Sequence, residues 1–386
     1  MIPYGRQDIS QADIDAVVGV LQSDFLTQGP MVPAFESKVA KYCEAKYAVA
    51  VNSATSALHI ACLALDLGPG DYLWTSPLTF VASANCALYC GAKVDFVDID
   101  PKTYNMSVSA LSEKLQIAKR NGVLPKIVIP VHFAGQSCDM KAIHELAVQY
   151  GFKVIEDASH AIGGKYLGKS IGGCDYSNVT IFSFHPVKIV TTGEGGMAVT
   201  NDPELADRMF LLRSHGITRD ASRMSRNAHG PWYYEQIELG YNYRMTDIQA
   251  ALGISQIDRL NEFIEMRHKI ASRYQLLLKH LPVSLPWQSA DSYSSFHLYP
   301  VRIDSAAPKT RAEIFNALRD LGIGVNVHYI PVYSQPYYVA KGFKANNFPE
   351  TENYYSQTIT LPLYSQFTED QQDTVVAALN KVLSWK

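Results

Sequence analysis

Short apolar runs rich in β-branched residues alternate with helical segments from residue 47 onward. A continuously apolar run is typical of a strand buried on both faces, and the helices between such runs provide the crossovers that parallel strands need. The pattern therefore predicts an α/β fold, with a mostly parallel sheet covered by helices on both faces. The predicted strands span residues 47–51, 72–76, 93–97, 126–131, 152–156 and 180–184.

The 386 residues correspond to two or three domains at roughly 150 residues each. Residues 1–30 form an N-terminal segment with an amphipathic helix at 10–22, and we expect a large α/β domain over 31–245. A long helical region is predicted for 246–280 and a small C-terminal α+β domain for 281–386. The remaining predicted elements are a second helix carrying Phe35 and Val39, a strand at 296–303, a helix at 309–321, a strand near Val325 and a last helix from Thr368.

Composition excludes several classes of function. The 34 Lys and Arg nearly balance the 37 Asp and Glu, and the net charge of −3 argues against nucleic acid or an anionic membrane as the main partner. No run approaches the ~18 apolar residues of a membrane span, and the N-terminus lacks the apolar core of a signal peptide. We therefore expect a cytoplasmic protein.

The six cysteines are too sparse for a disulfide framework. Cys86 and Cys90 lie one helical turn apart, but no second pair of ligands follows at the spacing of a zinc site. We therefore expect buried thiols and no metal centre.

Two segments offer groups for an anion and for a cation. Residues 52–56 run from a predicted strand into a helix, and small residues there would expose backbone N–H groups at the positive end of the helix dipole. An ordinary helix N-cap is the alternative. Asp157 follows a later strand, where a carboxylate can bind a ligand or only cap the next helix.

Two further segments carry an amine and a polar turn. Ser183, His185 and Lys188 follow an apolar strand, and burial beside apolar neighbours favours the neutral amine that a Schiff base requires. A lysine that extends to solvent is the alternative. Asn242 and Arg244 lie in a polar turn before the long helical region, where a turn with helix capping is the alternative reading.

The combination is more informative than any single segment. A phosphate needs a helix N-terminus, a pyridine nitrogen needs an acidic partner, and an aldehyde needs an amine. The segment at 52–56, Asp157 and Lys188, which follows Asp157 by 31 residues, meet these three needs. The sequence therefore predicts a site for pyridoxal phosphate, and it has no G-x-G-x-x-G opening a helix that would indicate a dinucleotide.

Four ordered motifs resemble the nucleotide-sugar aminotransferases, a branch of the fold-type I pyridoxal phosphate enzymes. They are NSATSAL, IEDASHAIG, SFHPVK with TGEGG three residues later, and GYNYRMTDIQAALG, and the resemblance covers nearly the whole chain. It implies a fold-type I transferase with a sheet of the seven-stranded type and a small C-terminal domain. It also implies a homodimer with active sites at the interface.

The resemblance implies roles for individual residues, as pyridoxal or pyridoxamine phosphate is the expected cofactor. Lys188 would form the Schiff base and move protons, and Asp157 would contact the pyridine nitrogen. The other cofactor residues implied are Ala54, Thr55 and Ser183 at the phosphate, Phe80 stacked on the ring, His160 near the ring hydroxyl, and Asn242 reaching the phosphate of the neighbouring subunit. His185 would lie near the lysine loop. Core packing is the alternative for Phe80, and whether His160 and His185 are catalytic or only position other groups stays open.

The ends of the chain resemble the aminotransferases of pseudaminic acid synthesis. The segments are IPYGRQDI, SDFLTQGP and NVHYIPVYSQPYY. The implied reaction moves an amino group from L-glutamate to C4 of UDP-2-acetamido-2,6-dideoxy-β-L-arabino-hexos-4-ulose, a UDP-linked keto sugar. The sugar-nucleotide site would comprise Tyr4, Asp24, Phe25, Leu26, Thr27, Asn326, Val327, His328 and Tyr329, together with Ala54, Ser183, His185 and Asn242. Small-domain packing is the alternative for the tyrosine-rich C-terminal stretch.

Other activities are weighed against this one. Sugar deoxygenation in the same fold would place a histidine where Lys188 stands, and a pyridoxal phosphate-dependent regulator would carry a DNA-binding domain and a basic surface. The alternative that stays open is a sibling aminotransferase for another UDP-, dTDP- or GDP-linked 4-keto or 3-keto deoxy sugar. Pocket contacts of about 1–3 kcal/mol each decide between such sugars, and one motif does not resolve them.

Overall fold

The computed structural model describes residues 1–384. Within that range the α-helices are Gln11–Leu21 (α1), Met31–Cys43 (α2), Ala54–Ala64 (α3), Ala82–Tyr89 (α4), Val108–Asn121 (α5), Met140–Tyr150 (α6), Pro203–Leu212 (α7), Asp247–Asp258 (α8), Leu260–Leu278 (α9), Arg311–Asp320 (α10), Pro336–Val339 (α11), Pro349–Gln357 (α12) and Glu369–Ser384 (α13). Short 3-10 turns occur at Phe133–Gly135, Val332–Ser334 and Ala345–Asn347.

The strands are short, as expected for an α/β protein. They are Tyr47–Val51 (β1), Tyr72–Thr75 (β2), Lys93–Phe96 (β3), Ile127–Ile129 (β4), Lys153–Asp157 (β5), Lys165–Tyr166 (β6), Lys169–Ser170 (β7), Val179–Ser183 (β8), Gly196–Thr200 (β9), Ile217–Thr218 (β10), Glu235–Gln236 (β11), Val283–Ser284 (β12), Ser292–Tyr293 (β13), Tyr299–Ile303 (β14) and Thr358–Leu361 (β15).

The main sheet has seven strands in the order β1-β9-β8-β5-β4-β2-β3. All of its strands run in one direction except β9, which pairs antiparallel with both β1 and β8. The predicted fold class and all six predicted strands are confirmed within one or two residues. Strand β9 was not predicted, because it follows a glycine-rich turn that reads as loop in the sequence.

Helices cover both faces of this sheet. Alternate residues of each strand point to opposite faces, so Val49 and Val51 of β1 pack with α3, α4 and α7, whereas Ala48 and Ala50 pack with α2, α8 and the start of α9. Helices α5 and α6 cover the rest of the second face. The continuously apolar strands are explained by this burial on both sides.

The long helical region predicted for 246–280 consists of two helices, α8 and α9, separated at Arg259. The strand predicted near Val325 needs correction, because the residues there form only an isolated bridge between Asn326 and Thr360. A separate hydrophobic cluster unites part of α9 with β14, β15, α10 and α13. The division of the chain at residues 30, 245 and 280 stays a prediction.

Helix α1 begins as predicted but does not bury the predicted face. Ser10 and Asp13 form a capping box, in which each side chain binds the other's backbone N–H. However, Ile14, Val18 and Leu21 are 47%, 41% and 55% exposed. The apolar stripe is therefore on the surface of a single chain.

A carboxylate of α8 caps α2 from a distant point of the sequence. Pro30 precedes α2 and provides no side-chain hydrogen bond to its first turn. Instead, fully buried Asp247 accepts hydrogen bonds from the backbone N–H groups of Gly29 (2.7 Å), Met31 (2.7 Å) and Val32 (3.2 Å). The contact fixes the end of the N-terminal segment against α8, and it favours negative charge at the helix N-terminus.

We predict that Asp247→Ala lowers the free energy of unfolding by about 3 kcal/mol, because three buried N–H groups lose their acceptor. Chemical denaturation of the purified variant measures the change. Asp258→Ala is the matched control: this carboxylate on the same helix is mostly exposed and pairs with Lys38 at 2.6 Å, so we expect a change below about 1 kcal/mol. Equal effects in the two variants would contradict the capping role.

Candidate active site

A cavity of about 960 Å³ lies at the carboxyl ends of the parallel strands. Ligands of open α/β sheets gather at this edge, because the loops that follow several strands meet there. The predicted site residues that line it are Tyr4, Ala54, Thr55, Phe80, Asp157, His160, Ser183, His185, Lys188, Asn326, Val327, His328 and Tyr329. The fold thus brings together residues separated by more than 300 positions.

The N-terminus of α3 opens into the cavity. Ser53 caps the helix by accepting the N–H of Ser56 at 3.2 Å, and the Ser56 hydroxyl donates to Asn52 Oδ1 at 2.6 Å. The first-turn N–H groups, those of Ala54 and Thr55 among them, have no partner within the helix. A phosphate fits here, because these N–H groups and the helix dipole both favour an anion.

A glycine allows the neighbouring strand to approach this helix start. A Cβ atom on Gly196, the first residue of β9, would lie 2.5 Å from the backbone nitrogen of Ala54. Any side chain would therefore displace the turn that begins α3. Gly196, the last residue of the TGEGG motif, is required for this close approach.

Asp157 ends β5 with its carboxylate buried and hydrogen-bonded. The Ser83 hydroxyl donates to Oδ2 at 2.6 Å, and Ser159 donates to Oδ1 through its hydroxyl at 2.6 Å and its backbone N–H at 3.1 Å. These three donors hold both carboxylate oxygens in place. A carboxylate at this position fits the nitrogen of a protonated pyridine ring.

Lys188 lies in the turn between β8 and β9. The turn is closed by hydrogen bonds from the Lys188 N–H to the His185 carbonyl (2.9 Å) and from the Thr192 N–H to the Phe184 carbonyl (3.0 Å). Burial lowers the pKa of Lys188 from 10.5 to about 8, and the negative charge of Asp157 opposes this shift. A substantial fraction of the amine is therefore neutral near pH 8, as an attack on an aldehyde requires.

His160 and Tyr329 form a hydrogen-bonded pair beside the cavity. The Ala134 N–H donates to His160 Nδ1 at 3.3 Å, so the ring proton of neutral His160 is on Nε2, which lies 3.0 Å from the Tyr329 hydroxyl. Burial, together with the charges of Lys188 and His328, holds the pKa of His160 well below its usual value. Because Tyr329 accepts the His160 proton, its own hydroxyl proton is available to a ligand.

The C-terminal segment reaches the cavity by pairing with β15. Asn326 and Thr360 exchange backbone hydrogen bonds, and His328 Nδ1 lies 2.9 Å from the Thr360 hydroxyl. Burial lowers the pKa of His328 to about 3, with a smaller effect from Lys188. The His328 ring also lies 5.3 Å from that of Tyr4, so the two ends of the chain meet at the site.

Phe80 and His185 extend into the open part of the cavity. Phe80 is 61% exposed, which excludes the core-packing alternative and leaves a ring face free for stacking. His185 is exposed, and its Nε2 atom lies 3.9 Å from Glu194.

Five predicted residues do not line the cavity of a single chain. Residues 24–27 pack near the start of α8, where Thr27 pairs with Thr246 and the Asp247 N–H donates to the Leu26 carbonyl. Asn242 is on the surface, and its backbone pairs with Ser214. The roles implied for these residues stay predictions.

Sequence reasoning missed several residues that line the cavity. They are Thr79, Ser83, Ser159, Val187, Glu194, Gln249 and His297, among others. Asn52, Ser53 and Ser56 also line the cavity and belong to the segment 52–56 that was predicted to bind an anion. Ser83 has no such signal, since it is a small residue within a helix, 74 positions before Asp157.

Metal ligands, thiols and apolar helices were the other features weighed in the sequence. Within residues 1–384, no group of three or more His, Cys, Asp or Glu side chains could hold a metal ion. Cys86 and Cys90 are buried thiols, as expected. In the same range, no helix combines the length and apolar character needed to span a bilayer.

A helix N-terminus for phosphate, a carboxylate for a pyridinium nitrogen and an amine of lowered pKa define a pyridoxal phosphate site on this fold. Residues 7–380 match the DegT/DnrJ/EryC1/StrS aminotransferase family. The chain is 42% identical to the spore coat polysaccharide biosynthesis protein SpsC of Bacillus subtilis, over 99% of this chain and 97% of that one.

Two further comparisons cover the whole molecule. A UDP-4-amino-4,6-dideoxy-N-acetyl-β-L-altrosamine transaminase of Campylobacter jejuni is 38% identical over 99% of this chain and 98% of its own. The structure of Spr1654 from Streptococcus pneumoniae in its PMP form superposes with a TM-score of 0.90 at 30% identity, over 99% of both chains, and a PLP form matches at 0.89.

The chain belongs to the DegT/DnrJ/EryC1/StrS aminotransferase family. It is a sugar aminotransferase, and its cofactor is pyridoxal phosphate. The family resemblance, the fold class and the cofactor predicted from the motifs are confirmed.

We predict that cofactor capture by the apoprotein accelerates as the pH rises through about 8, the pKa of Lys188, because the neutral amine is the reacting form. For an ordinary lysine the same rise would occur near 10.5. Stopped-flow measurement of the visible absorbance of bound pyridoxal phosphate follows the rate. Lys188→Ala should abolish this absorbance, whereas Lys141→Ala, an exposed lysine of α6, should not change it. Normal absorbance in Lys188→Ala would show that another amine holds the cofactor.

Proposed function

We propose that this enzyme transfers the amino group of L-glutamate to C4 of UDP-2-acetamido-2,6-dideoxy-β-L-arabino-hexos-4-ulose, a step of pseudaminic acid biosynthesis. The main support is the meeting of Tyr4 and the 326–329 segment with Lys188 and Asp157 around one cavity. These two ends carry the resemblance to the pseudaminic acid enzymes. The name of the Campylobacter relative, 38% identical, gives the corresponding altrosamine product.

Each group of the site has a part in the proposed reaction. Pyridoxal phosphate supplies an electron sink and carries the amino group between the two substrates. Lys188 holds the cofactor and then moves a proton to or from the substrate carbon. Asp157 would accept a hydrogen bond from the ring nitrogen, and Phe80 would cover one face of the ring.

The remaining residues bind and orient. The N-terminus of α3 and Ser183 would hold the phosphate, while Tyr4 and Tyr329 would offer an aromatic face and a hydroxyl to the sugar. The hydroxyl proton of Tyr329, left free by the bond from His160, suits an oxygen acceptor such as the keto group or a sugar hydroxyl.

We also propose a homodimer. Of the described residues that line the cavity, Lys188 is the only lysine or arginine, beside the acidic Asp157 and Glu194. The ligands bring a phosphate, a diphosphate and two carboxylates, so cations from a second chain would balance the charge. A partner would cover apolar surface that a single chain leaves exposed. This surface includes the apolar face of α1 and, elsewhere in the chain, Trp232 and Leu239, which are 67% and 74% exposed.

A second candidate substrate comes from the relatives themselves. SpsC, at 42% identity, is more similar to this chain than the Campylobacter transaminase at 38%, and its name specifies spore coat polysaccharide rather than altrosamine. Another UDP-, dTDP- or GDP-linked keto sugar is therefore the alternative.

We predict that L-glutamate bleaches the visible absorbance of the loaded enzyme and that the UDP-linked 4-keto sugar above restores it. The spectrum reports both half-reactions separately, because each changes the form of the cofactor. dTDP- and GDP-linked 4-keto sugars are the comparison substrates. Recovery with one of these but not with the UDP sugar would overturn the proposed substrate and leave the aminotransferase intact.

We predict that Asn242→Ala weakens cofactor retention through the dimer interface. Co-expression of Asn242→Ala chains with Lys188→Ala chains tests this directly, because one site of the mixed dimer would then have both native residues. We expect that site to recover cofactor affinity and turnover, giving about half of the wild-type activity per dimer. Asn353→Ala, an exposed asparagine of α12, is the control for surface substitution. No recovery in the mixed dimer would place Asn242 outside the partner's site.

A further inference from the structure

Asp157 ends a file of buried hydroxyl groups that begins on another element. The Thr79 hydroxyl oxygen lies 2.8 Å from that of Ser83, and the Ser83 hydroxyl lies 2.6 Å from Asp157 Oδ2. Thr79, Ser83 and Asp157 are 3%, 0% and 5% exposed, so these bonds are largely shielded from bulk solvent. We call this chain of hydrogen bonds, from Thr79 through Ser83 to Asp157, the relay. It connects the segment just before α4 with the end of β5.

The direction of the hydrogen bonds in this file is determined. An ionised carboxylate only accepts hydrogen bonds, so Ser83 gives its single proton to Asp157. The oxygen of Ser83 then serves as the acceptor for the Thr79 hydroxyl. Each proton has one place, and the order is Thr79 to Ser83 to Asp157.

The relay leaves the carboxylate free to bind one more donor. Ser83 occupies one side of Oδ2, and Ser159 supplies two donors to Oδ1. A carboxylate oxygen accepts about two hydrogen bonds, so Oδ2 keeps a lone pair for a ligand. With both oxygens held from the protein side, the carboxylate has little freedom to rotate.

The same segment carries the exposed aromatic ring. Phe80 lies between Thr79 and Ser83, and its side chain extends into the cavity while the two hydroxyls turn inward. The relay thus ties the turn that carries Phe80 to the carboxylate of Asp157. These hydrogen bonds therefore set the distance between Phe80, which would cover a face of the cofactor ring, and Asp157, which would bind the ring nitrogen.

We propose that Thr79 and Ser83 are positioning residues for the cofactor, which keep the Asp157 carboxylate directed at the pyridine nitrogen at a fixed offset from Phe80. This inference rests on the part of the proposed function that assigns Asp157 to that nitrogen. Both residues line the cavity, but their hydroxyls are held in the hydrogen bonds that end at Asp157, so we infer that they act through this carboxylate.

The test uses the full-length holoenzyme and apoprotein of five variants, of which Thr79→Ser retains the hydroxyl. Ser83→Ala removes the direct donor, and Thr79→Val removes only the second hydroxyl while keeping the shape of the side chain. Asp157→Asn is the reference for loss of the carboxylate. Thr75→Val is the matched control, because buried Thr75 donates to the Ile129 carbonyl at 2.8 Å, away from Asp157.

Three readouts separate positioning from folding. They are the dissociation constant of pyridoxal phosphate from the apoprotein, the pH midpoint of the visible absorbance of the bound cofactor, and the denaturation midpoint of the apoprotein. A positive ring nitrogen withdraws electrons and lowers the proton affinity of the lysine–cofactor linkage. If Asp157 stabilises the positive charge of the ring nitrogen less well, the pH midpoint of the visible absorbance must therefore rise.

We expect Ser83→Ala to raise the pH midpoint by about one unit and to weaken cofactor binding about tenfold, the scale of one lost hydrogen bond to a charged group. Thr79→Val should change the pH midpoint and the cofactor affinity in the same direction by a smaller amount. Thr79→Ser, which keeps the hydroxyl, should give wild-type values of both quantities. Thr75→Val should lower the denaturation midpoint and leave the pH midpoint unchanged.

The outcomes distinguish the two proposals. If Asp157→Asn shifts the pH midpoint but both Ser83→Ala and Thr79→Val leave it at the wild-type value, the relay is wrong and the role of Asp157 stands. If Asp157→Asn itself leaves the midpoint unchanged, the assignment of Asp157 to the ring nitrogen fails. If Ser83→Ala does not fold, Thr79→Val, which keeps the Ser83–Asp157 bond, decides the question.

Discussion

The parallel pairing of β5 with β4 on one side and β8 on the other determines most of this molecule's chemistry. Parallel strands place their carboxyl ends at one edge, and Asp157 and Ser183 end β5 and β8 there. Strand β9 then returns antiparallel, so the chain must reverse at that same edge. The reversal carries Lys188, and the close approach of Gly196 brings the N-terminus of α3 beside it.

Burial at this edge of the sheet lowers the pKa of the amine and also makes a buried carboxylate costly. The low-dielectric surroundings that bring the pKa of Lys188 to about 8 also keep His160 and His328 neutral. The same surroundings would make an unsupported carboxylate costly. The hydroxyls of Ser83 and Ser159 offset that cost at Asp157. Burial is therefore the common cause of the lowered pKa of Lys188 and of the need for hydrogen-bond donors at Asp157.

The residues that could be predicted are those whose chemistry is visible in short segments. Lys188, Asp157 and the helix start at Ala54 each follow an apolar strand, and the family motifs surround them. Ser83 and Thr79 could not be found this way, because a serine and a threonine near a helix start are ordinary in composition. Likewise the periodicity of α1 predicts an apolar stripe at Ile14 and Val18 but not that a single chain leaves it exposed.

The sequence by itself determined the alternation of strands and helices, the family and the cofactor, because hydrophobic period and local motif are properties of short stretches of chain. Only the tertiary structure decided which hydroxyls support Asp157, that Asp247 caps α2 rather than serving its own helix alone, and that Tyr4 meets His328. These contacts join residues 74 to more than 300 positions apart. Their formation depends on how the layers pack, and no local pattern of residues encodes that distance.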